Sequence, residues 1–169
     1  KPWFLYLAYT APHWPLHAPE EIVKKYEDRY RPGWQPVREA RHRKQLELGV
    51  IPAGTPLSPS DGADWEKLPD AKRAEMARKM AVYAAMTEVM DANVGRLLAT
   101  LEKAGELENT LIVFLSDNGG LDTNYNTTTN GQLEIKTQEF DNAPLRSGKG
   151  SPYEGGIRVP ALARWTGTI

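Results

Sequence analysis

Residues 112–120 read Ile-Val-Phe-Leu-Ser-Asp-Asn-Gly-Gly, an apolar run that stops abruptly at an acid, an amide and two glycines. A half-buried strand alternates apolar and polar side chains; four apolar residues in succession predict a strand buried on both faces, as in the parallel sheet of an α/β protein. Such sheets bind ligands just beyond the carboxyl ends of their strands. Asp117 and Asn118 stand at that edge with one charged and one neutral oxygen, the donors that hard cations such as Ca2+ or Mg2+ take. Gly119 and Gly120 allow the backbone to turn away sharply. The plainer reading is a strand-ending Asn-Gly turn. Against it, a carboxylate at the tip of a buried strand needs a partner.

The rest of the chain supplies the other elements of an α/β order. Residues 3–9 are rich in aromatics and predict a strand. Prolines at 12, 15 and 19 make the next segment an ordered, non-helical loop, and Pro19-Glu20-Glu21 opens a short helix. Residues 37–48 predict a second helix, and the Pro- and Gly-rich residues 49–69 a long surface loop. From Asp70, a candidate N-cap, apolar residues recur at Met76, Met80, Tyr83, Met86, Met90, Val94, Leu97 and Leu101. Steps of three and four predict an amphipathic helix covering a sheet and ending at Gly105, roughly 34 residues and ~50 Å long. Residues 119–147 read as a long polar loop, and residues 157–165 as a final strand with Pro160 at an edge or entry position. Asn126-Thr127-Thr128 fits a glycosylation acceptor pattern, a triplet that is frequent by chance.

Composition narrows the function classes. The chain has 169 residues, 40% of them apolar and 25% charged, enough for one domain with a sizeable core. The net charge of −1 gives no support for nucleic acid or an anionic membrane as partner. Cysteine is absent, which removes disulfides, thiolate metal sites and a cysteine nucleophile from these residues. No apolar stretch approaches the ~20 residues of a membrane-spanning helix. The chain opens inside a strand-like run and stops directly after another, so it is expected to be a piece of a longer protein.

Two further segments carry chemistry. Ala11-Pro12-His13-Trp14-Pro15-Leu16 follows a predicted strand, and its prolines stiffen the backbone around His13. A stiffly held imidazole can donate to an anion or pass a proton to a leaving group near neutral pH; the alternative is a histidine packed between Trp14 and prolines. In Ser147-Gly148-Lys149-Gly150, two glycines let the backbone bring an ammonium close to an anion; the alternative is a solvated loop lysine. No Walker A pattern is present. Glu154 and Arg158 are read as a structural ion pair, and the basic run Arg38, Arg41, Arg43, Lys44 as a solvated helix face. A cation site, a histidine and a lysine at one sheet edge fit an anionic group such as sulfate or phosphate.

With these residues in view, the chain resembles the type I sulfatases of the alkaline phosphatase superfamily, bacterial arylsulfatases among them. Ala11-Pro12-His13-Trp14-Pro15-Leu16 resembles their histidine segment and Ser116-Asp117-Asn118-Gly119 their second metal-binding segment. Gly148-Lys149-Gly150 running into Tyr153-Glu154-Gly155-Gly156-Ile157-Arg158-Val159-Pro160 resembles their lysine segment. The resemblance implies an alkaline phosphatase-like sandwich with a central, mostly parallel sheet flanked by helices. It implies that Asp117 and Asn118 bind a Ca2+ (Mg2+ being the alternative) that holds the sulfate group, and that His13 and Lys149 contact sulfate oxygens and the bridging oxygen. The implied substrate is an aryl or carbohydrate sulfate ester, and the implied location periplasmic or secreted.

The departures are as informative. The family's nucleophile is a formylglycine made from the first residue of a Cys/Ser-x-Pro/Ala-x-Arg segment, and no such segment exists here; Ser58-Pro59-Ser60-Asp61-Gly62 does not fit. The family's paired aspartates and Lys-x-His segment are also missing. Residues 1–169 are therefore expected to be part of a sulfatase catalytic domain, truncated at both ends and inactive alone. The alternatives are a phosphoester or phosphonate hydrolase of the same superfamily and a catalytically inactive relative. Asn118 separates the first of these, since phosphate-processing relatives typically place a histidine after this aspartate.

Overall fold

The architecture, taken from a computed structural model, covers residues 1–60, 63–122, 124–127, 133–137 and 142–169, with the backbone alone described for 124–127 and 133–137. The chain divides into two compact units, Lys1–Thr100 and Leu101–Ile169.

The first unit is helical. Pro19 precedes α1 (Glu20–Val23), whose acidic first turn suits a helix N-terminus. α2 (Glu27–Tyr30) and α3 (Trp34–Glu47) follow, the latter starting three residues earlier than the sequence predicts. α4 (Asp70–Lys103) runs for 34 residues. Asp70 is its first helical residue rather than its cap, and its carboxylate pairs with Arg73. The far end closes as predicted. Gly105 at φ +71° donates its N–H to the Glu102 carbonyl, and Glu106 donates to Leu101, a Schellman motif.

The stripe that periodicity predicts on α4 is largely the one that packs: Met86 is buried, and Met76, Met80, Met90, Val94, Leu97 and Leu101 are half-buried, but the deepest positions are alanines that the large residues do not point to. Ala77, Ala81 and Ala85 are 7%, 0% and 0% exposed, whereas Tyr83 is 44% exposed. Val23 of α1, Tyr30 of α2 and Trp65 of a single 3-10 turn (Trp65–Lys67) complete this core. Small residues at i, i+4 and i+8 leave room for the Val23, Tyr30 and Trp65 side chains, while Met76 and Met80 flank the contact. The buried partners of α4 are thus helices and a turn, where a sheet was expected. Arg78 of α4 adds ion pairs at 2.5 Å to both Glu20 and Glu27.

Residues 3–9 form no strand. Phe4 and Tyr6 are 89% and 78% exposed, and an aromatic run becomes a strand only where a neighbour completes the hydrogen-bond ladder. The long loop after α3 is tied down from the basic helix face: Arg38 donates to the Ser58 carbonyl at 2.5 Å and the Pro59 carbonyl at 2.9 Å, and His42 to the Thr55 carbonyl at 2.9 Å. Arg38 is therefore a loop tether as well as a charged surface residue. Asp61 and Gly62 lie outside the described residues.

The second unit holds the strands. β1 (Ile112–Leu115) pairs antiparallel with β4 (Ala161–Arg164), with Ile112 opposite Arg164 and Leu115 opposite Ala161. β2 (Asn124–Thr127) and β3 (Leu133–Thr137) form a second antiparallel pair within the stretch expected to be a polar loop. A four-residue helix α5 (Glu154–Ile157) precedes β4, and Pro160 sits at the strand entry, as predicted. The α/β class holds, but both described sheets are two-stranded and antiparallel where a mostly parallel sheet was expected. β1 is not buried on both faces: Val113, Phe114 and Leu115 are 54%, 45% and 55% exposed. Thr128 of the glycosylation triplet lies outside the described residues. Among the described residues, no helix is long and apolar enough to cross a membrane.

Candidate functional site

β1 delivers Ser116-Asp117-Asn118 to the edge of its sheet, where Asp117 is exposed and Asn118 half-buried. The turn is fixed locally by Ser116, whose hydroxyl donates to the Asn118 carbonyl at 2.9 Å. It is fixed from outside by the glycine-rich segment before β4. Gly119 donates its N–H to the Gly156 carbonyl at 2.9 Å, and Lys149 donates its backbone N–H to the Gly120 carbonyl at 2.8 Å. Gly155 in turn donates to Arg146 at 2.9 Å, so the lysine loop, α5 and the Asp117–Gly120 turn form one backbone-bonded cluster.

The glycines are what permit this approach. A Cβ on Gly119 would stand 1.8 Å from the Gly155 carbonyl oxygen, and one on Gly155 would stand 1.7 Å from the Ser147 oxygen. No L side chain fits either position. Around this lock, Arg146 stacks its guanidinium 3.7 Å over the Tyr153 ring, and Arg158 pairs with Glu154 at 3.3 Å. The second contact is the structural pair the sequence predicts, and its exposure makes it worth little.

Asp117, Asn118 and Lys149 are therefore brought together on connected backbone, and Lys149 itself is exposed. His13 belongs to the first unit. Its loop is ordered by a hydrogen bond from the His13 N–H to the Thr10 carbonyl at 2.9 Å. The ring is exposed rather than packed away, lies 5.2 Å from Trp14 centroid to centroid, and has Nδ1 at 2.7 Å from the Trp14 carbonyl. A carbonyl can only accept, so Nδ1 carries the hydrogen; Nε2 then donates only when the ring is protonated.

Asp117 and Asn118 fit a hard cation in kind, as one carboxylate and one amide oxygen. They do not fit it in number, since Ca2+ takes about 6–8 oxygens. Among the described residues, no group of three or more His, Cys, Asp or Glu side chains is placed to hold a metal. The pair amounts to part of a coordination shell.

Asn142 is a residue of this cluster that no motif singled out. Its side chain donates to the Gly120 carbonyl at 3.0 Å and the Ser147 carbonyl at 3.1 Å. It sits in a polar stretch with no periodicity, so only the fold reveals it.

Comparison with known proteins supplies an independent finding. The family model described as Sulfatase matches residues 1–169. The chain is 37% identical to an uncharacterized sulfatase of Schizosaccharomyces pombe, with 96% of this chain and 34% of that protein aligned. It is 42% identical to an arylsulfatase of Klebsiella aerogenes, over 70% of this chain and 26% of that protein. With an arylsulfatase of Clostridium perfringens it shares 30% identity over 95% of this chain and 27% of that protein. The chain thus spans about a third or less of the length of these relatives.

Proposed function

The chain belongs to the sulfatase family, and from that premise we propose that the full-length protein is a sulfuric ester hydrolase, cleaving aryl or carbohydrate sulfate monoesters with the help of a bound Ca2+. The observation that carries this reading is the backbone lock of the Asp117–Gly120 turn to the Lys149 loop, which ties the cation donors to a cation-bearing side chain. The arylsulfatases among its relatives support an ester of an aromatic alcohol as one substrate class. The amide at Asn118 supports sulfate over phosphate, because a histidine there would equip the site for a second metal.

Asp117 and Asn118 would hold the cation, which when bound neutralises the sulfate oxygens. The ammonium of Lys149 adds a second positive charge to the same group. As the ester S–O bond breaks, negative charge develops on the leaving oxygen, and donors aimed there favour the transition state over the ground state. By the family resemblance, His13 is the donor assigned to that oxygen, with the Trp14 carbonyl holding the ring through Nδ1. These residues hold no Cys/Ser-x-Pro/Ala-x-Arg segment and cannot supply a formylglycine. Their part is to bind the sulfate and stabilise the departing alcohol.

The test is turnover of p-nitrophenyl sulfate and p-nitrophenyl phosphate by the full-length protein in Ca2+. Sulfate ester cleavage is expected to dominate, and His13→Ala and Lys149→Ala are each expected to lower kcat/KM by roughly 10²–10⁴-fold. Faster cleavage of the phosphate, or unchanged activity in both variants, would overturn the assignment.

A further inference from the structure

Asn142 bonds to both halves of the locked cluster through one nitrogen. Gly120, which accepts from Nδ2 at 3.0 Å, closes the turn that bears Asp117 and Asn118. Ser147, which accepts at 3.1 Å, opens the loop that bears Lys149. A primary amide carries two N–H groups, so each carbonyl takes one hydrogen. The Gly120 carbonyl also receives the Lys149 N–H at 2.8 Å, which makes it the meeting point of all three segments. Gly148 lies against the same carbonyl and amide, since a Cβ there would stand 2.3 Å from the Gly120 oxygen and 2.7 Å from Nδ2.

We propose that Asn142 is a positioning residue that sets the Lys149 loop against the Asp117–Asn118 metal edge. The proposal rests on the sulfatase reading of those three residues. The backbone bond from Lys149 to Gly120 ties the loop to the turn directly, and the bonds from Gly119 to Gly156 and from Gly155 to Arg146 tie it through α5. The Asn142 amide adds a side-chain tie between them, spanning the Gly120 and Ser147 carbonyls and holding their spacing. Lys149 must meet a sulfate whose place is set by the cation, and a misplacement of about 1 Å in such an arrangement can cost ~10²-fold in rate. Asn142 bonds to backbone carbonyls of the turn and of the loop, so it acts by setting Lys149 against the metal edge. Alanine removes both hydrogens, aspartate would put a carboxylate against two carbonyls, and serine keeps a single donor.

The deciding experiment is a double-mutant cycle in the full-length protein: wild type, Asn142→Ala, Lys149→Ala and the pair. kcat and KM for p-nitrophenyl sulfate are measured at saturating Ca2+, with thermal midpoints alongside. Asn142→Ala is expected to lower kcat/KM about tenfold when Lys149 is present and less than about twofold when it is absent. An equal loss in both backgrounds would make Asn142 a merely structural residue, and no loss at all would leave it without a role; either overturns the proposal. If Asn142→Ala does not fold, the same cycle with Asn142→Ser carries the same criteria. A wild-type protein that turns over no sulfate ester defeats the functional reading itself, and this proposal with it, whereas failure of the Asn142 effect alone leaves wild-type turnover intact.

Discussion

A carboxylate and an amide side by side at a strand tip are legible as oxygen donors because side-chain chemistry belongs to the residue and needs no fold to declare it. The same holds for the ammonium of Lys149 and the imidazole of His13. What the residue type does not declare is its hydrogen-bonded state. The Trp14 carbonyl accepts from Nδ1 of His13, so that ring nitrogen carries a hydrogen. Asn142 is the opposite case, an asparagine with no distinguishing neighbours whose role comes from a carbonyl 22 residues away. If Asp117 and Asn118 are cation ligands, then Asp117→Asn and Asn118→Ala in the full-length protein should each raise the Ca2+ concentration for half-maximal turnover by about 10–100-fold or more, the loss seen when even outer partners of a ligand are removed. A Ca2+ titration of sulfate ester turnover decides this, and an unshifted midpoint in both variants would remove the pair from the metal.

Helix α4 shows how far periodicity reaches. Its start, length and glycine stop follow from local signals, and the structure keeps them almost to the residue. Its packed face follows in part: Met86 is buried as periodicity predicts, but the deepest positions are Ala81 and Ala85, because hydrophobicity ranks Met and Tyr above Ala while packing under the Val23, Tyr30 and Trp65 side chains selects the smaller one. β1 is the same lesson in a strand: the apolar run locates it correctly, yet pairing runs antiparallel to β4 and leaves its side chains about half exposed. The β2–β3 pair was invisible in a stretch that composition marks as loop. The cluster of glycine segments makes a sharper prediction than any of these. Gly155→Ala forces a methyl group to within 1.7 Å of a carbonyl oxygen and 2.7 Å of a second. The backbone must shift, at a cost of about 1–3 kcal/mol, and sulfate turnover should fall with it because the turn and the lysine loop are displaced. Chemical denaturation of wild type and variant measures the first, and equal stability would show that the lock is looser than its geometry.

The first unit carries its own electrostatic signature. Glu88 is held below the usual glutamate range by hydrogen bonds from Lys25 and Tyr26, and the same carboxylate pushes the Tyr26 hydroxyl above its usual range. Glu20 is lowered by Arg78, and Glu75 by Lys79 and Lys72. A depressed carboxylate stabilises the fold above its unfolded pKa, and that contribution fades as pH falls through the folded value; a raised tyrosine contributes below its unfolded pKa and fades as pH rises through its folded one. Stability of this unit should therefore decline below the ordinary carboxylate range near pH ~4.3 and again above pH ~10. Glu88→Gln should lower the thermal midpoint at neutral pH and converge on wild type in acid. A gap of the same size at pH 3 and pH 7 would argue against the linkage. Taken over both units, the sequence by itself determined the family and the long helix with its ends, and supplied the side chains proposed for the site, because side-chain chemistry, capping and short-range spacing are written within a few neighbouring positions. Only the tertiary structure decided the direction of strand pairing, the alanine face of α4, and the glycine lock with its Asn142 bridge. Each of those is a contact between residues far apart in the chain, made through backbone groups or through the absence of a side chain, which leave no local mark in a sequence.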